Sequence, residues 1–135
     1  MAEITIEWDD AEETIIRATF VGRYTWEEYF QSQEQGNAMV ESKAHRCDLI
    51  VDLSRARATS AGPALTNAKK TLELAPTNLG LVVVITSTLA NIIIKAFRRL
   101  DPVLAARVLT TTQLAQARQL IAMSRAEGIA GDAIR

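Results

Sequence analysis

One cysteine, Cys47, and one histidine, His45, are all that 135 residues offer of the two strongest metal-ligating side chains. A single thiol excludes an internal disulfide, and the pair excludes a zinc cluster built from such ligands. Cys47 opens an apolar run, where an inert buried thiol is expected. His45, beside Arg46, reads as a solvated loop residue. Three prolines and six glycines form no linker, so one domain is expected over 1–127, with 128–135 a frayed tail poor in large apolar side chains. No run approaches the ~20 apolar residues that span a bilayer. Met1-Ala-Glu-Ile-Thr-Ile-Glu lacks the basic flank and apolar core of a secretory signal, so a cytoplasmic protein is expected. The formal net charge of −1 removes any whole-molecule drive toward nucleic acid or an anionic membrane. There is no Gly-rich phosphate loop and no acid, base and nucleophile pattern. Neither a catalytic residue, a metal nor a cofactor is expected.

What is present is patterned strongly. Ile4-Thr-Ile-Glu-Trp8 alternates as a half-buried strand, and Thr14 to Val21 follows it across a polar turn, which predicts an antiparallel hairpin. Thr25-Trp-Glu-Glu28 has the spacing of a capping box opening a helix. Gly36-Asn37 breaks that helix's apolar stripe and reads as a kink. Cys47 to Leu53 suits an interior strand, ending at Asp52 and Ser54 in a polar loop before Gly62-Pro63 opens the next helix. Leu79 to Ile85 is the most apolar and β-branched run and should be a central strand. Thr86-Ser-Thr88 precedes a helix over Leu89 to Leu100. Ala106 to Leu109 reads as a last short strand, and Leu114 starts a final helix. The fold class expected is α/β: a mixed sheet of four to five strands with an antiparallel N-terminal hairpin and about four helices.

That succession resembles the STAS fold of the SpoIIAA-like group, which includes anti-sigma-factor antagonists and is related to CRAL-TRIO lipid-binding domains. The resemblance is carried by Gly22-Arg-Tyr-Thr-Trp-Glu-Glu28, Asp48 to Ser54, Asn78 to Ile85 and Leu109 to Ala117. In the antagonist branch, a strand ending Asp-Leu-Ser leads to an Asp-Ser-Ser-Gly-like segment whose serine is phosphorylated to switch partner binding. The comparable segment here is Thr59-Ser60-Ala61-Gly62, with Thr59 where the family has aspartate. The resemblance thus implies a non-enzymatic regulatory interaction module with Ser60 as the phosphoacceptor. Its kinship with lipid-binding domains implies the alternative, a carrier or sensor of a small apolar ligand.

Two sets of candidate residues follow. The first is the strand-end loop, with Asp52, Ser54, Arg55, Arg57, Thr59 and Gly62, joined by Thr86 and Ser87 at the next strand-to-helix junction. Such junctions hold ligands in open α/β sheets, though the same residues also cap helices and satisfy turn amides. The second set is apolar: Trp26, Tyr29 and Phe97, which either line a ligand cavity or pack in the core, and Ile94. Ile94 lies off the stripe of Leu89, Ile92, Ile93, Ala96, Phe97 and Leu100 expected to face the core, and so is a candidate interface residue. The partners implied are a protein or a small apolar molecule. A homodimer is compatible with this reading, and peripheral membrane contact stands behind core packing.

Overall fold

The computed structural model describes residues 3–57, 64–86 and 88–134. Five strands form one sheet in the order β1-β2-β3-β4-β5. They are β1 Glu3–Trp8, β2 Ile15–Arg23, β3 Cys47–Arg57, β4 Leu79–Ile85 and β5 Val108–Thr111. The helices are α1 Trp26–Glu41, α2 Ala64–Glu73, α3 Thr88–Leu100, the single turn α4 Pro102–Ala105, and α5 Leu114–Ile134. β1 and β2 are antiparallel, and every later pairing is parallel. The expected α/β class and mixed sheet are therefore present.

The alternation of each strand sorts the core into two layers. Ile16, Cys47, Val82, Val84 and Val108 face Val40 of α1, Leu72 of α2 and Phe97 of α3. On the other face Ile50, Leu81, Val83 and Ile85 meet Ala117 and Ile121 of α5. Three consecutive crossovers thus lay their helices on one side, as right-handed connections in a sheet growing in one direction require, and α5 alone covers the other. β4 is buried along both faces, which is why its run is continuously apolar. The capping box is formed: Glu28 N–H donates to Thr25 Oγ1 at 3.1 Å and Thr25 N–H to Glu28 Oε1 at 3.0 Å.

Several expectations need correction. β3 does not stop at Ser54. It continues to Arg57, pairing Arg55 with Val21 and Arg57 with Arg23, because β2 also runs on past Gly22, whose φ of 83° suits glycine. Arg55 and Arg57 are strand residues, not loop residues. α1 is continuous over Trp26–Glu41, so Gly36-Asn37 does not divide it. β5 lies two residues later than expected, because Asp101 caps α4 at Leu104 N–H and Ala106 closes that turn. On α3, Ile92 and Leu100 are exposed while Ile94 and Phe97 pack inward. A helix this rich in aliphatic residues has more than one eligible face, and packing against the sheet selects one.

The β3–β4 register shifts between Cys47 and Leu49, with Cys47 opposite Leu79 but Leu49 opposite Val82. This is a bulge at Gly80-Leu81. The fully buried Asp48 carboxylate receives the Leu81 N–H at 2.6 Å. A Cβ on Gly80 would lie 2.2 Å from Arg46 Nε and 2.5 Å from Asp48 Oδ1. Gly80→Ala is expected to cost ~2 kcal/mol, the usual range for an added methyl in a filled site, read as a lower urea midpoint.

Candidate functional site

The space between the sheet and the three helices of its first face is not filled. A cavity of about 220 Å³ lies there. Ala18 and Phe20 of β2, Val51 and Leu53 of β3, and Val84 of β4 form its floor. Trp26, Tyr29, Gln33 and Gly36 of α1, Ala68 and Thr71 of α2, and Ile94 and Phe97 of α3 form its walls. Small residues explain the opening: Ala18 and Ala68 supply one methyl each, and a Cβ on Gly36 would meet nothing within 4 Å. The break in the α1 stripe is therefore the place where the helix faces empty space.

At one end the wall is aromatic. Tyr29 lies 5.2 Å from Trp26, 5.3 Å from Phe30, 6.2 Å from Phe20 and 6.4 Å from Tyr24, centroid to centroid. These tilted and edge-on contacts suit the ring quadrupole and hold the wall in shape. The Tyr29 hydroxyl is 2.7 Å from Thr71 Oγ1. Thr71 donates its own proton to the Asn67 carbonyl at 2.7 Å, so Tyr29 is the donor to Thr71. Gln33 Nε2 donates to the Thr71 carbonyl at 3.1 Å. Gln33 Oε1 and Trp26 Nε1 are buried without a hydrogen-bond partner. None of the cavity-lining residues is an Asp, Glu, Lys, Arg or His.

Burial pushes the Tyr29 phenol from 10.0 up to about 12, against the opposing effect of its bond to Thr71. A phenol whose pKa rises on folding stabilises the fold fully below pH 10, and that contribution is lost as pH climbs from 10 through 12. It is worth on the order of 2–3 kcal/mol. Thermal melts of the parent chain should therefore fall across that window. Tyr29→Phe, weakened at neutral pH by the lost bond to Thr71, should show a flatter profile there.

The sequence candidates divide accordingly. Trp26, Tyr29, Ile94 and Phe97 are brought together around the cavity. Ile94 was read as an outward interface residue and instead faces inward. Asp52 and Ser54 serve the irregular β2–β3 pairing: Ser54 N–H and Oγ–H donate to Asp52 Oδ1 at 2.9 and 2.6 Å, a local use of both residues. Thr86 N–H joins the sheet edge through Thr111 O at 3.1 Å. Thr59, Ser60, Gly62 and Ser87 lie outside the described residues. Tyr24, Gln33, Gly36 and Thr71 were not anticipated; the Gly36-Asn37 break in the stripe was their only signal.

The charged residues elsewhere are structural. Asp48 is held by Arg46 at 2.9 Å and Arg125 at 2.8 Å. Asp9 takes both arms of Arg118 at 2.9 Å and Arg17 at 3.0 Å; the Arg118 bond, then its charge, hold that carboxyl below its usual range. Burial and the neighbouring Asp48 carboxylate raise the fully buried Cys47 thiol, as befits an inert cysteine. His45 is exposed, its Nε2 3.0 Å from Glu13 O. Among the described residues no group of three His, Cys, Asp or Glu is placed to hold a metal, and no helix is long and apolar enough to cross a membrane. No protein-family model matches the chain, and no curated protein matches it.

Proposed function

We propose that this chain is a binding module, a carrier or sensor, for a small apolar molecule held between the sheet and α1–α3. One observation carries the reading: a cavity of about 220 Å³ inside the core, walled by apolar side chains with a few polar atoms and no charge. Protein interiors are close-packed, and an unfilled volume of this size forfeits contacts at ~24 cal/mol per Å³ in core mutants. A cavity of ~150 Å³ already takes up benzene and stays dry otherwise. A few placed polar groups in an apolar pocket are the usual make-up of a small-molecule site. Kinship with the STAS/SpoIIAA-like group belongs to the same proposal, supported by the N-terminal hairpin and the alternation of strand and helix. The phosphorylation switch proposed for Ser60 has no described residue to stand on, so the cavity takes precedence.

Native mass spectrometry of freshly purified protein tests the reading. The expected result is a retained adduct of small mass that organic solvent extracts, or uptake of an added apolar probe by the extracted protein. A chain that is bare and takes up nothing would overturn it.

A further inference from the structure

The polar atoms in the cavity wall are few, and their hydrogen-bond states are unequal. Thr71 binds two neighbours, accepting from Tyr29 at its hydroxyl and from Gln33 Nε2 at its carbonyl. The amide of Gln33 is thereby oriented, since a flipped side chain would set oxygen against the Thr71 carbonyl. Two acceptors are left open beside one another: Gln33 Oε1, buried without a partner, and the Tyr29 oxygen, which has given its proton to Thr71. Seven residues from Gln33 along α1, roughly 10 Å of helix rise, Trp26 Nε1–H is buried with no acceptor. A buried polar atom left unmatched costs ~1–3 kcal/mol, so each is a place where a ligand atom of opposite kind is favoured. Benzene's six non-hydrogen atoms fill ~150 Å³; at that density the cavity of about 220 Å³ takes roughly nine.

Resting on the reading of the cavity as a ligand site, we infer that its ligand is a neutral amphiphile of roughly nine non-hydrogen atoms, with an O–H or N–H donor seated against Gln33 Oε1 and Tyr29 Oη and an acceptor oxygen toward Trp26 Nε1. An ionised head group is disfavoured. No cation lines the wall to receive a carboxylate, and a lone charge in an apolar site is costly. The open acceptors beside Thr71 would also repel an anion.

Calorimetric titration with four probes of this size tests the inference: 1-octanol, 1-chlorooctane, 2-octanone and, at pH 8, octanoate. The parent chain should bind 1-octanol at least tenfold more tightly than octanoate. Gln33→Met, nearly isosteric and a good helix former, should lower the ratio of octanol to chlorooctane affinity about tenfold. Trp26→Phe should weaken 2-octanone about fivefold and leave 1-chlorooctane unchanged. An unaltered octanol ratio in Gln33→Met, tighter octanoate binding, or unaltered 2-octanone binding in Trp26→Phe would overturn the assignment while leaving an apolar site. Failure of all four probes to bind would overturn both readings.

Discussion

Replacing Asp48 by alanine is expected to remove about 3 to 5 kcal/mol of stability, the range seen when one partner of a buried ion pair is deleted. That is a large part of the ~5–15 kcal/mol that holds a typical domain folded. Asp48 is fully buried and joins three elements. It receives the Leu81 N–H left over by the Gly80-Leu81 bulge, and it pairs with Arg46 and with Arg125 of α5. The two guanidinium side chains are about a third exposed, at 36% and 32%, so they can turn to water when the carboxylate is gone. The Leu81 amide cannot, which places the main cost on the backbone. Urea denaturation should therefore show the midpoint falling by more than about 1 M at the slope usual for a chain of this size. Asp48→Asn keeps an acceptor for Leu81 and should recover part of the loss. Equal losses in the two variants would mean that the ion pairs, and not the bulge amide, dominate.

Gly36→Leu should make the protein more stable and unable to bind its ligand. Leucine exceeds glycine by ~0.8–1 kcal/mol in a helix interior, and here a Cβ has open space before it. Its side chain would enter the cavity that Gly36 lines, adding apolar burial of ~1.5–3 kcal/mol at full burial. A net gain of about 2 kcal/mol would raise Tm by roughly 5–10 °C, and affinity for an apolar probe should drop at least tenfold. Ordinary core packing predicts the reverse on both counts, since a side chain forced into a filled core destabilises. A destabilised Gly36→Leu with probe binding intact would therefore refute the cavity as a site.

The fold was legible because its signals are local. The alternation of Ile4 to Trp8, the apolar run of Leu79 to Ile85 and the Thr25–Glu28 capping box each follow from neighbours in sequence. What lay beyond the sequence depends on pairing between distant segments. β3 runs on to Arg57 because β2 is there to pair with it, which no property of Arg55 or Arg57 announces. Aspartates at 48 and 52 look alike in sequence, yet one is fully buried under two arginines from separate elements and the other ties a bulge to Ser54. The cavity was half legible. Trp26, Tyr29 and Phe97 stood out as large apolar groups, whereas the residues that create the space do so by being small. Gly36 therefore read as a defect in α1 when it is part of a wall.

The order of the sheet has a bearing on how the molecule comes together. Its strands stand in space as they stand in the chain, one to five. During synthesis each new strand can add to the free edge left by its predecessor, and no finished pair must part to admit a latecomer. The first face can close helix by helix in the same sequence. Only α5 breaks this progression. It turns back across the sheet to join Arg118 to Asp9 and Arg125 to the Thr14 carbonyl, over separations of 109 and 111 residues. Until it arrives, Asp48 lacks one of its two cations and the second face of β4 stands open to water. Assembly is thus gradual along the chain and becomes all-or-none at its last helix.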